Sequence, residues 1–175
     1  MTGCEGVSAW TQSRGETGAF ASIQRASLPH PVVELSAVGA ERLGDLYWDQ
    51  LERSSRGILR VRGDAAGTTE IRLLGIRPAL LRFGPAAYEV TSTSVTCLYP
   101  IVGGLLARKP GGSISFTQSG EGSIEVRSQV DDFFPRLATR RIRRGWSGVL
   151  YPHVQTRLHV ALGRRYLERL RTELR

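Results

Sequence analysis

Lysine is almost absent from this chain of 175 residues: of 24 Lys and Arg residues only Lys109 is lysine. Arginine forks onto carboxylates and phosphates and is less strongly hydrated than lysine, so the two are not equivalent. A bias of this kind also follows from GC-rich codon usage, which points to a bacterial origin. Cysteine is scarce too. Cys4 and Cys97 are far apart, which excludes a disulfide framework and a cysteine-based zinc site. No run approaches the roughly 20 apolar residues of a membrane span. Residues 1–18 mix Glu5, Arg14 and Glu16 with Gly and Ser and lack the apolar centre of a signal peptide. The expectation is a soluble, cytoplasmic protein. Around Gly103-Gly104 the lysine of a phosphate loop and the glycine spacing of a dinucleotide fold are both missing, so the pair reads as a bulge or bend in an apolar run.

What is present is ordinary globular composition, 41% hydrophobic and 23% charged, with 20 glycines that favour turns and sheet over a helical bundle. Residues 1–30 show little periodicity and read as a mobile arm with a short strand or turn near Phe20 and Ile23. Residues 31–175 read as one domain. Val32 to Ser36 suggests a first strand. Over 40–53, Leu43, Leu46, Tyr47 and Leu51 recur at helical spacing, with Trp48 at the edge of the stripe. The period then becomes two. Leu59 and Val61 alternate with Arg60 and Arg62, and after Gly63 to Gly67 the return strand sets Ile71 and Leu73 against Glu70 and Arg72. Short strands follow at 80–83, 88–90 and 95–101. In a further pair, Ile114 and Phe116 face Ile124, Val126 and Val130. From Pro152 to Leu174 the chain reads as one long helix, with Pro152 in its first turn.

Strand, helix, a run of antiparallel strands and a long final helix is the order of the helix-grip arrangement. In that order the chain resembles the superfamily of START lipid-transfer domains, polyketide cyclases and pollen-allergen-like proteins. The resemblance rests on element order over about residues 31–174 and on no signature motif. It implies an α+β fold: a curved antiparallel sheet of about six or seven strands wrapped around the long C-terminal helix, with one or two short helices near the N-terminus. It further implies an internal cavity between sheet and helix that takes a hydrophobic small molecule. Gln155, Leu162, Tyr166, Phe116, Tyr99 and Trp48 would line it. Some members of the superfamily cyclise or isomerise such ligands without a cofactor; others only carry or sense them.

The chemistry-bearing candidates sit on the last helix. Tyr151, Gln155, His159, Leu162 and Tyr166 are spaced four, four, three and four apart and share one face. His159 titrates near neutrality and is the candidate proton shuttle, with Tyr151 as donor to a carbonyl or enolate. The alternative is that His159 satisfies a backbone carbonyl at the helix edge. His153 and His159 are six residues apart and His30 is isolated, so no metal site is expected. On the strands, Glu125 and Arg127 share a face with Ser115, Thr117 and Gln129, either as a solvated outer face or as a polar lining. From Arg136 onward eleven arginines meet only Glu168 and Glu173. That basic stretch, centred on 140–144, is a solvated face or a site for an acidic partner. An anionic membrane surface, an acidic protein and nucleic acid all fit by charge, although no nucleic-acid-binding motif accompanies it.

Overall fold

A computed structural model describes residues 9–14, 19–120, 123–136, 165–167 and 169–170. Nine strands and one long helix are found among them: β1 (Ala9–Arg14), β2 (Phe20–Leu28), α1 (Ala37–Ser54), β3 (Leu59–Gly63), β4 (Thr69–Leu73), β5 (Ile76–Phe83), β6 (Ala87–Val90), β7 (Ser94–Gly103), β8 (Ser113–Ser119) and β9 (Ile124–Phe133). All pairings are antiparallel, in the order β1-β2-β9-β8-β7-β5-β4-β3. One edge of β7 is shared by two partners: β6 runs along residues 95–98, and β5 pairs at Ile101 and Gly103. The register shifts where that edge changes hands, between Arg82 and Phe83. Gly104, with φ of 118°, follows β7 immediately, and a Cβ there would lie 2.5 Å from the Leu80 carbonyl oxygen.

Strict alternation makes the core. Along β7, β8 and β9 every second residue is buried: Val95, Cys97, Tyr99 and Ile101; Ile114, Phe116 and Gln118; Ile124, Val126, Ser128 and Val130. Against this inner face lies α1, through Ala40, Leu43, Leu46, Tyr47, Trp48 and Leu51. Gly44 lets the helix come close, because a Cβ at that position would sit 2.4 Å from the Tyr99 hydroxyl oxygen. Ser36 caps the helix by accepting from the Gly39 amide at 3.0 Å. At the far end Glu52 accepts from the Val61 amide at 2.7 Å, tying the helix to β3.

Three sequence expectations are corrected. The sheet is larger than six or seven strands, and the helix packed on it among the described residues is α1 rather than a long C-terminal one. At the C-terminal end only 165–167 and 169–170 are described, as helix; the remainder of the expected 152–174 helix lies outside the described residues. The helix-grip description is therefore replaced by a nine-stranded antiparallel sheet carrying α1. Secondly, Phe20–Leu28, placed by sequence in the arm, is a strand between β1 and β9, with Ala26 and Leu28 buried. Its buried face alternates Ser22, Gln24, Ala26 and Leu28, and two polar residues in four hide the apolar period. Thirdly, Val32 to Ser36 is not a strand. Its backbone is held instead by one buried side chain: Gln118 Oε1 accepts from the Val32 and Val33 amides at 2.7 and 3.1 Å, while its Nε2 donates to the Val33 carbonyl at 2.7 Å.

That clamp is measurable. Gln118→Ala leaves both polar groups of Val33 buried without partners, so the variant should lose about 2–4 kcal/mol of stability. Urea denaturation of variant and parent checks it, and a loss below about 1 kcal/mol would show that the loop does not depend on Gln118.

Candidate functional site

The inner face of the sheet gathers six aromatic rings from five elements. Tyr47 and Trp48 come from α1, Phe83 from β5, Tyr99 from β7, Phe116 from β8, and Tyr166 from the C-terminal helical residues. Ring centroids lie 4.4 Å apart for Tyr47–Phe116, 5.1 Å for Trp48–Tyr99, 5.2 Å for Trp48–Phe83 and 5.6 Å for Phe116–Tyr166. Most of the pairs meet edge to face, the arrangement the ring quadrupole favours. Four residues expected to line a ligand site, Trp48, Tyr99, Phe116 and Tyr166, are thus brought together. Tyr151, Gln155, His159 and Leu162 lie outside the described residues, as does the 140–144 arginine cluster.

Beside the rings runs a polar patch that a search for apolar periodicity does not reveal. In register across the sheet, Phe116 of β8 stands opposite Ser128 of β9, which stands opposite Gln24 of β2; one step along, Ile114, Val130 and Ser22 form the next row. Ser22, Gln24 and Ser128 are all buried. The signal was present in the sequence: Ser128 sits between Val126 and Val130 at the same two-residue period and so had to face the core. Two polar atoms in this region are buried without a hydrogen-bond partner among the described residues, the Trp48 indole Nε1 and the Ser22 hydroxyl. An unpaired buried donor costs on the order of 1–3 kcal/mol, and the indole is eased only by a weak interaction with the Tyr99 oxygen.

Residues 165–167 and 169–170 are anchored on α1. The Tyr166 hydroxyl donates to the Leu43 carbonyl at 3.1 Å, and Arg169 reaches the Leu46 carbonyl at 3.4 Å and Asp49 at 3.8 Å. Leu167 and Leu170 are fully buried with Tyr166 in the same cluster. Tyr166 is therefore a supporting ring whose hydroxyl is already committed.

Burial dominates the titration of the site. It pushes the phenols of Tyr47, Tyr99 and Tyr166 above their ordinary range and raises the Cys97 thiol to about 11. All four groups hold their protons at neutral pH. The tyrosines are donors there rather than bases, and Cys97 is a packed thiol rather than a nucleophile. Among the described residues no three His, Cys, Asp or Glu side chains gather as metal ligands, and no helix is long and apolar enough to cross a membrane.

The Glu125 and Arg127 set lies on the opposite face of the sheet, as alternation requires. Glu125 stands 4.0 Å from Arg25 and 3.9 Å from Arg127, and Thr96 and Thr117 share a hydrogen bond of 3.0 Å beside them. These side chains are half-buried by their neighbours on the sheet and face away from the aromatic cluster.

The raised thiol and phenol pKa values carry a sign. Each group is neutral when protonated, so the unfolded chain releases the proton first. Their contribution to stability is complete below about pH 9 and is lost as pH climbs through the folded values. Thermal unfolding should therefore show the melting temperature falling from about pH 9 to pH 11, and falling less steeply in Tyr47→Phe. A flat profile in the parent would mean that these groups are not held protonated by the fold.

No protein-family model matches the chain, and no curated protein matches it significantly.

Proposed function

We propose that the protein binds a hydrophobic small molecule on the inner face of the sheet, between the aromatic cluster and the Ser22–Gln24–Ser128 patch, and carries it without chemical change. One observation carries the reading: the Trp48 indole N–H is buried among rings and, among the described residues, makes no well-formed hydrogen bond, only a weak interaction with the Tyr99 oxygen. A ligand with an apolar body and one acceptor oxygen satisfies it, and the Ser22 hydroxyl, on the same inner face three strands from Tyr99, offers a second polar point for a long ligand. Ligand sites have this composition, a few polar groups set in hydrophobic and aromatic walls. The rings are in mutual contact, so ligand entry is a repacking of rings already present.

Binding is favoured over catalysis by the protonation states. Tyr47, Tyr99, Tyr166 and Cys97 offer no base near neutral pH. A cyclase or isomerase reading rests on His159 and Tyr151, which lie outside the described residues.

Native mass spectrometry of freshly purified protein should reveal a non-covalent small-molecule adduct that denaturation releases unchanged. Titration with a fluorescent long-chain fatty acid, followed by energy transfer from tryptophan, should saturate at one site. Trp48→Phe keeps a ring and removes the donor, so affinity measured by the probe's own emission should fall about 5- to 10-fold. Absence of both adduct and saturable binding, or full affinity in Trp48→Phe, would overturn the proposal.

A further inference from the structure

The far end of the β4–β5 hairpin joins two features that soluble surfaces usually keep apart. Four large apolar side chains are open to solvent there: Ile58 at 52%, Leu73 at 49%, Leu74 at 62% and Ile76 at 65% exposure. They are neighbours in space. The Leu74 amide donates to the Ile58 carbonyl at 2.7 Å, and Leu73 stands opposite both Leu59 and Ile76. The turn is tight, and Leu74 occupies it with φ of 51° just before Gly75. Glycine, asparagine and aspartate are the residues suited to that left-handed conformation. A leucine there accepts backbone strain and presents its side chain at the outermost point of the hairpin.

Around this tip the charge is mostly positive, with Glu52 of α1 the acid that faces it. Residues 53–83 hold seven arginines against Asp64 and Glu70. Both acids are engaged at the other end of the strands. Asp64 accepts from the Ala66 and Thr68 amides in the β3–β4 turn, and Glu70, which stands opposite Arg82, is paired with Arg72 and Arg82. At the tip end Arg56 and Arg77 are exposed and form no ion pair among the described residues. Arg60 lies across Gly57 and reaches Gly75, with Glu52 at 3.7 Å as its acidic neighbour.

We infer that this hairpin tip docks on an anionic lipid bilayer, with Leu74, Ile76 and Ile58 entering the interface and Arg56, Arg60 and Arg77 meeting the headgroups. Charge complementarity selects the partner, and the apolar tip distinguishes it from a purely electrostatic one. A duplex offers phosphates but no apolar medium to receive three aliphatic side chains, whereas the headgroup boundary offers both. The surface is separate from the interior site and stands whether or not a ligand binds there.

Sedimentation of the full chain with phosphatidylcholine vesicles, with and without phosphatidylserine, tests the inference. Binding is expected with phosphatidylserine and should weaken by about fivefold for each arginine removed in Arg56→Gln and Arg77→Gln. Leu74→Asn combined with Ile76→Ser should weaken it at least about tenfold at unchanged charge. Asparagine suits the turn conformation, so the double variant should melt no lower than the parent and remain a valid control. The inference is overturned by any of four results: no vesicle binding, equal binding to phosphatidylcholine alone, undiminished binding of the Leu74→Asn, Ile76→Ser variant, or capture of a duplex oligonucleotide in place of vesicles.

Discussion

The contact between α1 and the inner face of the sheet organises everything else in the described structure. Gly44 allows the helix to approach the Tyr99 hydroxyl closely, and that approach brings Tyr47 onto Phe116 and Trp48 between Phe83 and Tyr99. From this position the helix reaches three separate parts of the molecule. Its N-terminus follows the loop that Gln118 clamps, its middle carbonyls receive Tyr166 and Arg169, and its last turn holds β3 through Glu52. A single helix therefore links the β7–β8–β9–β2 part of the sheet to the β3–β5 part. Each ring pair adds roughly 0.5–1.5 kcal/mol beyond the area it buries.

Much of the sheet was legible because two-residue periodicity is a direct consequence of one buried face. The hairpins at 59–73, 88–101 and 113–130 were readable from alternation and from turn glycines, and the structure finds strands in each of these stretches. Helix α1 was readable for the same reason at a period of 3.6. The failures share a cause. Both β2 and the loop at Val32–Val33 depend on polar side chains performing buried work, and a period search counts only apolar residues. Ser22 and Gln24 conceal a core strand, while Gln118 supplies from a distant strand the hydrogen bonds that a strand partner would have given Val33.

The candidate site was legible in part, for a related reason. Trp48, Tyr99, Phe116 and Tyr166 could be placed on inward faces individually, and their convergence follows from how α1 crosses the sheet. Their chemistry could not be read in advance. A tyrosine in sequence is equally a surface hydroxyl or a buried donor, and only burial separates the two by moving its pKa. The same holds for Trp48, whose weakly satisfied N–H is a property of its surroundings rather than of its identity.

Charge divides over the described surface along the same seam that α1 bridges. On the exposed side of α1, Glu41, Asp45 and Asp49 stand close enough that the Asp45 carboxyl is raised, first by burial and then by those two neighbours. Across the seam, the stretch forming β3, β4 and β5 is arginine-rich, with its acids gathered at the end away from the tip. An arginine-rich hairpin near a negatively charged plane is drawn toward it before any contact forms. Ile58, Leu73, Leu74 and Ile76 are exposed on that hairpin. Orientation by the long-range field and insertion by the short-range apolar surface would thus act on one hairpin, in an order set by their ranges: electrostatics out to about 8–10 Å at physiological salt, apolar burial only on contact.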